Sequence, residues 1–177
     1  MNNNGTGRAA LADSAAADLD PARLRDVFGT FATGVVAVTA FDDGRPTGLA
    51  ANSFTSVSLD PPLVSFCAAL TSSTWPRIRG ARRLAVNVLA ANQREVCERF
   101  AAKGGDKAAG LDWFSSPGGA PLVAGSLTWL ECSVEHEYPA GDHLVVIARV
   151  RQAGGPFAGS PLLFFRSQYG RWAPAPG

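Results

Sequence analysis

The sequence offers little titratable chemistry. Its only imidazoles are His136 and His143, and neither a His-Glu-x-x-His pattern nor a carboxylate cluster accompanies them. A protein-held metal centre takes three or four ligands at suitable spacing, so no metal is expected. Cysteine is scarce as well. Cys67, Cys97 and Cys132 are odd in number, far apart and each set among apolar residues, which excludes a disulfide framework or a Cys-x-x-Cys motif and reads as buried reduced thiols. Charge of one sign is missing: Lys+Arg 16 against Asp+Glu 15 leaves a formal +1. There is then no global field to draw the chain onto nucleic acid or an anionic membrane, and neither partner is expected. No stretch approaches the ~20 apolar residues that span a bilayer. Near the N-terminus only Arg8 is basic, and the run Ala9 to Leu19 is broken by Asp13 and Asp18, which argues against a signal peptide and for a cytoplasmic location. Gly-x-Ser-x-Gly, a Walker loop and a Gly-x-Gly-x-x-Gly after a strand are all absent, so the ordinary signatures of serine hydrolases, NTPases and Rossmann dehydrogenases are missing.

What is present is glycine and proline, 19 and 12 of them in 177 residues, with 46% hydrophobic and only 18% charged residues. Such a chain buries one full-sized core and has many turns and extended segments, which largely excludes a helical bundle or coiled coil.

The first 18 residues hold no aromatic and, apart from Thr6, no β-branched residue, and are expected to be a disordered lead-in. Residues 19–172 read as one domain, with 173–177 as a short C-terminal tail. Asp20-Pro21 caps a helix whose stripe is Leu24, Val27, Phe28 and Phe31, ending near Thr33-Gly34. From Val35 to Phe41 the residues are mostly β-branched or apolar, and Asp42-Asp43-Gly44-Arg45-Pro46 is dense in turn formers, so a hairpin follows. Its return strand is expected to run from Thr47 to about Ser58, with Asp60-Pro61-Pro62 as the stop and Leu63–Ala68 as the next strand. A short helix lies around Trp75–Arg79 and a strand over Leu84–Leu89; Asn92 and Glu95 have capping-box spacing for a helix burying Val96 and Phe100. Lys103 to Val123 reads as a long excursion. Leu127–Tyr138 and Asp142–Val150 form two strands joined around Pro139-Ala140-Gly141, the first alternating Leu130, Cys132 and Val134 against Glu131, Ser133 and Glu135. Leu162–Phe165 is the last strand. The class is mainly β, a barrel with a few peripheral helices.

Uncharged polar side chains concentrate in one region: Thr47, Asn52, Ser53, Thr55, Ser56 and Ser58, then Thr71-Ser72-Ser73-Thr74. One reading makes these solvent-facing pleat positions and an ordinary helix cap. The other has the second run present hydroxyls and N–H groups to a phosphate, with Arg77 or Arg79 adding charge, while the first holds a planar polar heterocycle along a strand edge. Asn87, among apolar strand residues, either satisfies backbone or touches a ligand. His136 and the four tryptophans, Trp75, Trp113, Trp129 and Trp172, read as structural.

Three stretches resemble a known family: Phe31-Ala32-Thr33-Gly34-Val35-Val36-Ala37-Val38-Thr39, the long Gly48–Leu63 segment containing Asn52-Ser53-Phe54-Thr55-Ser56 and Asp60-Pro61-Pro62, and Gly141-Asp142-His143. Phe100-Ala101, Asp106-Lys107 and Pro161–Phe165 extend the likeness over about Leu24 to Tyr169. Together they resemble the flavin reductase domain family, the small reductase components of two-component flavin-dependent monooxygenases. The resemblance implies an FMN-binding split β-barrel with a Greek-key-like antiparallel sheet, usually a homodimer, that uses NADH or NADPH to reduce FMN or FAD and passes the reduced flavin to a larger monooxygenase. It further implies that Thr33, Gly34, Ala51, Asn52, Ser53, Phe54, Ser56 and Val57 line the isoalloxazine and that Ser72, Ser73 and Thr74 meet the phosphate. Asp142 and His143 then fall on the nicotinamide side, with His143 placing the reduced pyridine. Ala50-Ala51 stands where many relatives have threonine next to alanine, so FMN and FAD both stay open. A flavin- or haem-binding carrier or sensor that does not turn over, and an enzyme with a tightly retained flavin, are the alternatives on the same barrel. Hydride transfer between two cofactors needs stacking and charge stabilisation more than a protein acid or base, which suits a site poor in His, Asp and Glu.

Overall fold

The computed structural model describes residues 20–174; the expected tail at 1–18 lies outside them, as does most of 173–177. Helix α1 (Pro21–Phe28) starts as its sequence dictates, the Asp20 carboxylate accepting from the Ala22 and Arg23 N–H groups at 2.7 and 3.0 Å. It stops sooner than the apolar spacing suggests. Gly29 closes it, no residue of it is buried, and Val27, Phe28 and the following Phe31 are 53, 68 and 77% exposed. The stripe that periodicity reads as core-facing has no core beneath it among the described residues. Thr33–Gly34 form not a helix end but the two-residue strand β1, paired with β11 (Leu162–Phe165).

Strands β2 (Val36–Asp42) and β3 (Arg45–Ala51) form the expected hairpin, with Asp43 and Gly44 at φ 48° and 76° as a two-residue turn requires. The return strand does not run on to Ser58. It leaves the ladder after Ala51, crosses through residues 52–54, and re-enters as β4 (Thr55–Leu59) beside β5 (Pro62–Ala69). With β6 (Leu84–Val88), β9 (Thr128–Ala140) and β10 (His143–Gly154), the sheet order is β3-β2-β6-β9-β10-β5-β4, antiparallel throughout. Because β3 and β4 are the two edges yet adjacent in the chain, the sheet has to curl until its edges approach, and the gap spanned by residues 52–54 is the split in the barrel. Ser53 holds the crossing in place, its Oγ accepting the Cys67 N–H at 2.8 Å. Two register shifts between β9 and β10 bend the longest strands.

The barrel interior holds Val36, Val38, Phe66, Val86, Cys132 and Val146, closed at one end by Trp75 and Ile78 of the single-turn α2 (Trp75–Ile78). A second cluster lies outside β2, where Val35 and Ala37 meet Cys97 and Phe100 of α3 (Arg94–Ala101). With both faces of β2 covered, its run carries no alternation. The capping box at Asn92 does not form: Gln93 precedes the helix, and its side chain accepts from Ala90 N–H at 3.0 Å and donates to the Ala124 carbonyl at 2.7 Å. Cys97 rather than Val96 joins Phe100 in the buried stripe, since Val96 is half-buried.

The 103–123 excursion contains a hairpin of its own, β7 (Trp113–Ser115) and β8 (Pro121–Val123), laid over β2 and β6. That covering overturns the simple alternation on β9. Glu131, expected to face water, is 1% exposed, bonded by Arg83 Nε at 3.1 Å, by the Gly118 N–H at 2.7 Å and by the Ser116 hydroxyl. Asn87 is purely structural: its Nδ2 donates to Ala37 O and Thr39 Oγ1 at 3.1 and 2.9 Å, and its Oδ1 accepts the Val123 N–H at 3.0 Å. A further strand, β12 (Gln168–Arg171), follows β11. Cys97 and Cys132 are buried, and Cys67 is half-buried rather than buried. Among the described residues no helix is long and apolar enough to cross a membrane.

Candidate functional site

The split in the barrel opens a cavity of about 510 Å³, within the ~300–1,000 Å³ typical of small-molecule sites. One wall is the end of β3 and the crossing after it, from Leu49 to Ser53; another is the end of β5, Cys67 to Ala69. Residues 71–74 form the rim before α2, the C-terminal end of α3 supplies Phe100 and Ala101, and Lys103, Lys107 and His143 reach in from the excursion and from the start of β10. Ala50, Ala51, Ala68 and Ala69 leave these walls without long side chains, a shape that suits a flat ring. No carboxylate lines the cavity among the described residues, whereas two ammonium groups do, so its electrostatics favour an anion.

Of the residues expected at the site, Ala51, Asn52, Ser53, Ser72, Ser73, Thr74 and His143 come together here. Thr33 and Gly34 lie on β1 against β11, Phe54 packs on the barrel core, and Ser56 and Val57 are exposed on edge strand β4, Val57 at a register shift. None of these five lines the cavity, nor does Asp142. The Thr33 hydroxyl is buried without a hydrogen-bond partner among the described residues.

The hydroxyl run divides its labour. Ser72 Oγ accepts the Thr74 and Trp75 N–H groups at 3.3 and 3.1 Å, which makes it the local cap of α2. Thr74 is buried and its Oγ1 accepts from Lys107 Nζ at 3.0 Å, the same ammonium donating to Phe100 O at 3.0 Å. Arg77 and Arg79, the cations expected beside this run, are engaged elsewhere, Arg77 with Asp42 and Arg79 with Glu137. Lys107 takes that place. Burial, with the nearby Arg77 charge adding to it, holds the Lys107 ammonium below the ordinary lysine range. Asp106-Lys107 was visible in the sequence as a dipeptide, but only the fold carries it back to Thr74.

At the β10 end, His143 Nδ1 lies 2.7 Å from Asp142 Oδ1, with the Asp142 side chain 93% exposed. The hydrogen bond from His143, together with its charge, holds the Asp142 carboxyl below the usual aspartate range. An ionised Asp142 only accepts, so Nδ1 carries the shared proton and Nε2 is the ring nitrogen left for another partner.

A smaller cavity of about 200 Å³ adjoins the first, sharing Ala50, Ala51, Asn52 and Ala101, with Phe164, Cys97 and Tyr169 behind them. Cys97 Sγ and Tyr169 Oη are 3.3 Å apart; burial first, then this contact, pushes the Tyr169 phenol up to about 12. Both groups stay protonated at neutral pH and form an inert wall.

The sequence profile of the flavin reductase like domain matches residues 28–173. The reductase subunit HsaB of a flavin-dependent monooxygenase from Rhodococcus jostii is 45% identical over 93% of this chain and 83% of its own length. A flavin reductase from Pseudomonas putida is 46% identical over 88% and 92%. Among solved structures, the NADH:FAD oxidoreductase SgcE6 of Streptomyces globisporus, crystallised with NAD and FAD fragments, superposes with a TM-score of 0.82 at 39% identity, covering 90% of this chain and 99% of that one.

Proposed function

The chain belongs to the flavin reductase like domain family, and on that footing we propose that it oxidises NADH or NADPH, reduces FMN or FAD in the cavity at the barrel split, and yields the reduced flavin to a separate monooxygenase component. The observation that carries this is the cavity itself: alanine walls, amide and hydroxyl edges, two lysines and, among the described residues, no carboxylate. These residues fit a planar heterocycle with a phosphate tail. When bound, the flavin supplies the redox chemistry by accepting a hydride from the nicotinamide.

The chain's own residues bind and orient. Lys107, braced by Thr74 and the Phe100 carbonyl, and Lys103 take the phosphate. Asn52 and the backbone around Ala51 offer polar contacts to the ring edge, where donors stabilise growing negative charge. Thr33, Gly34, Phe54, Ser56 and Val57, away from the cavity lining, are assigned to the flavin only as its outer neighbours. His143, oriented by Asp142, presents Nε2 to the carboxamide or the face of the nicotinamide. His143→Ala is expected to raise the nicotinamide KM or slow flavin reduction by roughly tenfold, with flavin affinity within twofold of the unaltered protein; unchanged stopped-flow kinetics would remove His143 from the site.

We take residues 19–172 as the functional domain and place it in the cytoplasm, where three unpaired cysteines persist as thiols. The exposed Val27, Phe28 and Phe31, with Leu59 and Leu70, support a homodimer in which a second copy covers apolar surface; light scattering at twice 18.4 kDa is the expected reading. The reaction is tested by following nicotinamide oxidation with and without added flavin.

A further inference from the structure

Glu137 does not line the main cavity, yet it is tied to the element that carries the cavity's Thr74. It lies on β9, paired with Val146 of β10, and its side chain is only 16% exposed. One carboxylate oxygen accepts the Trp75 indole N–H at 2.7 Å, and the other accepts from the Arg79 guanidinium. Trp75 is the first residue of α2 and Arg79 the residue after its last, so a single side chain holds both ends of the turn. A helix of one turn gains too little from its own hydrogen bonds to keep its place, and tertiary contacts have to set it. Trp75 is buried, edge-on to Phe66 with ring centroids 5.4 Å apart, and Glu137 supplies the acceptor that a buried indole N–H needs.

Thr74 directly precedes this anchored tryptophan, and its Oγ1 is one of two acceptors of the Lys107 ammonium; the other, the Phe100 carbonyl, belongs to α3. Lys107 lies in 102–112, a stretch without helix or strand in which Gly104, Gly105 and Gly110 have φ of 74°, 74° and 70°. Such a backbone does little to aim a four-carbon side chain, so the two acceptors aim it. We infer that Glu137 is a positioning residue for Lys107: through the Trp75 indole it fixes Thr74, and through Thr74 the point at which the ammonium meets a flavin phosphate. The inference rests on the phosphate reading of Lys107, and Glu137 itself touches no ligand. Its two contacts differ in consequence. The indole bond acts one residue from Thr74, whereas the Arg79 pair acts at the far end of α2 on a side chain that is half exposed, where an ion pair contributes little. An uncharged acceptor at position 137 therefore suffices, and an apolar side chain does not.

Fluorescence titration of the whole chain with FMN and with riboflavin reads the effect, because riboflavin has no phosphate. Glu137→Leu is expected to weaken FMN about fivefold, less than Lys107→Ala because the ammonium keeps the Phe100 carbonyl, and to leave riboflavin within about twofold. Trp75→Phe removes the same N–H while leaving Glu137 to Arg79, and is expected to weaken FMN about threefold with riboflavin again spared. Glu137→Gln keeps an acceptor and is expected to stay within about twofold for both ligands. In the Lys107→Ala background, Glu137→Leu is expected to have no further effect on FMN, since the path ends at the missing ammonium. Ile78→Val, a buried change on the same turn, is expected to lower the urea midpoint and leave the FMN/riboflavin ratio unchanged. If Glu137→Leu does not fold, Trp75→Phe carries the same test. Unchanged FMN binding in Trp75→Phe, equal weakening of both ligands, an undiminished effect in the Lys107→Ala background, Glu137→Gln as weak as Glu137→Leu, or a ratio shifted as far by Ile78→Val overturns the inference. A Lys107→Ala protein that binds FMN as before is a different result, and it removes the phosphate reading on which the inference stands.

Discussion

Replacing Lys107 with alanine is expected to weaken FMN binding by roughly ten- to a hundredfold and riboflavin binding hardly at all. The Lys107 ammonium is the cation whose placement at the cavity is fixed, by Thr74 Oγ1 and the Phe100 carbonyl, each at 3.0 Å. A hydrogen bond between charged groups contributes ~1.5–3 kcal/mol, and each 1.4 kcal/mol is about tenfold in affinity. Riboflavin lacks the phosphate, so it reports any general collapse of the cavity. Equal weakening of both ligands, or of neither, would contradict the assignment. The same lysine sets a pH dependence. Burial and Arg77 lower its pKa in the free protein, and a bound phosphate favours the charged form, raising the pKa in the complex. Proton uptake therefore accompanies binding in the alkaline range, and FMN affinity falls as pH rises through the Lys107 pKa. In Lys107→Ala that part of the pH profile flattens; fluorescence titrations across alkaline pH measure it.

Asn87→Ala is expected to destabilise the fold by about 3–5 kcal/mol, a large part of the ~5–15 kcal/mol that holds a domain folded. The side chain is fully buried and satisfies Ala37 O, Thr39 Oγ1 and the Val123 N–H at once. Truncation strands the Ala37 carbonyl contact and the Val123 N–H at ~1–3 kcal/mol each and leaves a cavity in addition. The Thr39 hydroxyl is spared, because it donates to Pro121 O at 2.6 Å. Urea unfolding with an unchanged slope and a reduced midpoint is the expected observation; a loss below about 1 kcal/mol would mean that the 113–123 hairpin is not held by Asn87.

Local chemistry made much of this fold legible. The Asp20 cap, the Asp43-Gly44 turn and the β9–β10 hairpin depend on neighbours in the chain; the first two lie where the sequence places them, while the hairpin turns at Gly141-Asp142, with Pro139 and Ala140 still in β9 and β10 running on to Gly154. What could not be read depends on distant partners. Nothing around Ala51 and Thr55 distinguishes one long strand from two strands at opposite edges of a sheet, since residues 52–54 carry no proline or glycine; the break follows from closing the barrel. Glu131 reads as a surface residue until the 113–123 hairpin covers it, and Phe28 reads as core although none of the described residues is laid over it. At the site, Asn52-Ser53 and Ser72 to Thr74 are legible as polar runs, and Ala51 through the family resemblance. Lys107 was not, because its link to Thr74 spans 33 positions, and arginines nearer in sequence offered a simpler source of positive charge.

On the proposed function this barrel moves a hydride from a reduced nicotinamide to a flavin. The most direct measurement is anaerobic stopped-flow mixing of the protein with NADH and either FMN or FAD, following both chromophores. Nicotinamide oxidation and flavin bleaching are expected to proceed together, one equivalent for one, over many turnovers, with a flat nicotinamide signal when flavin is left out. Flavin that binds but keeps its colour in the presence of both NADH and NADPH would contradict it.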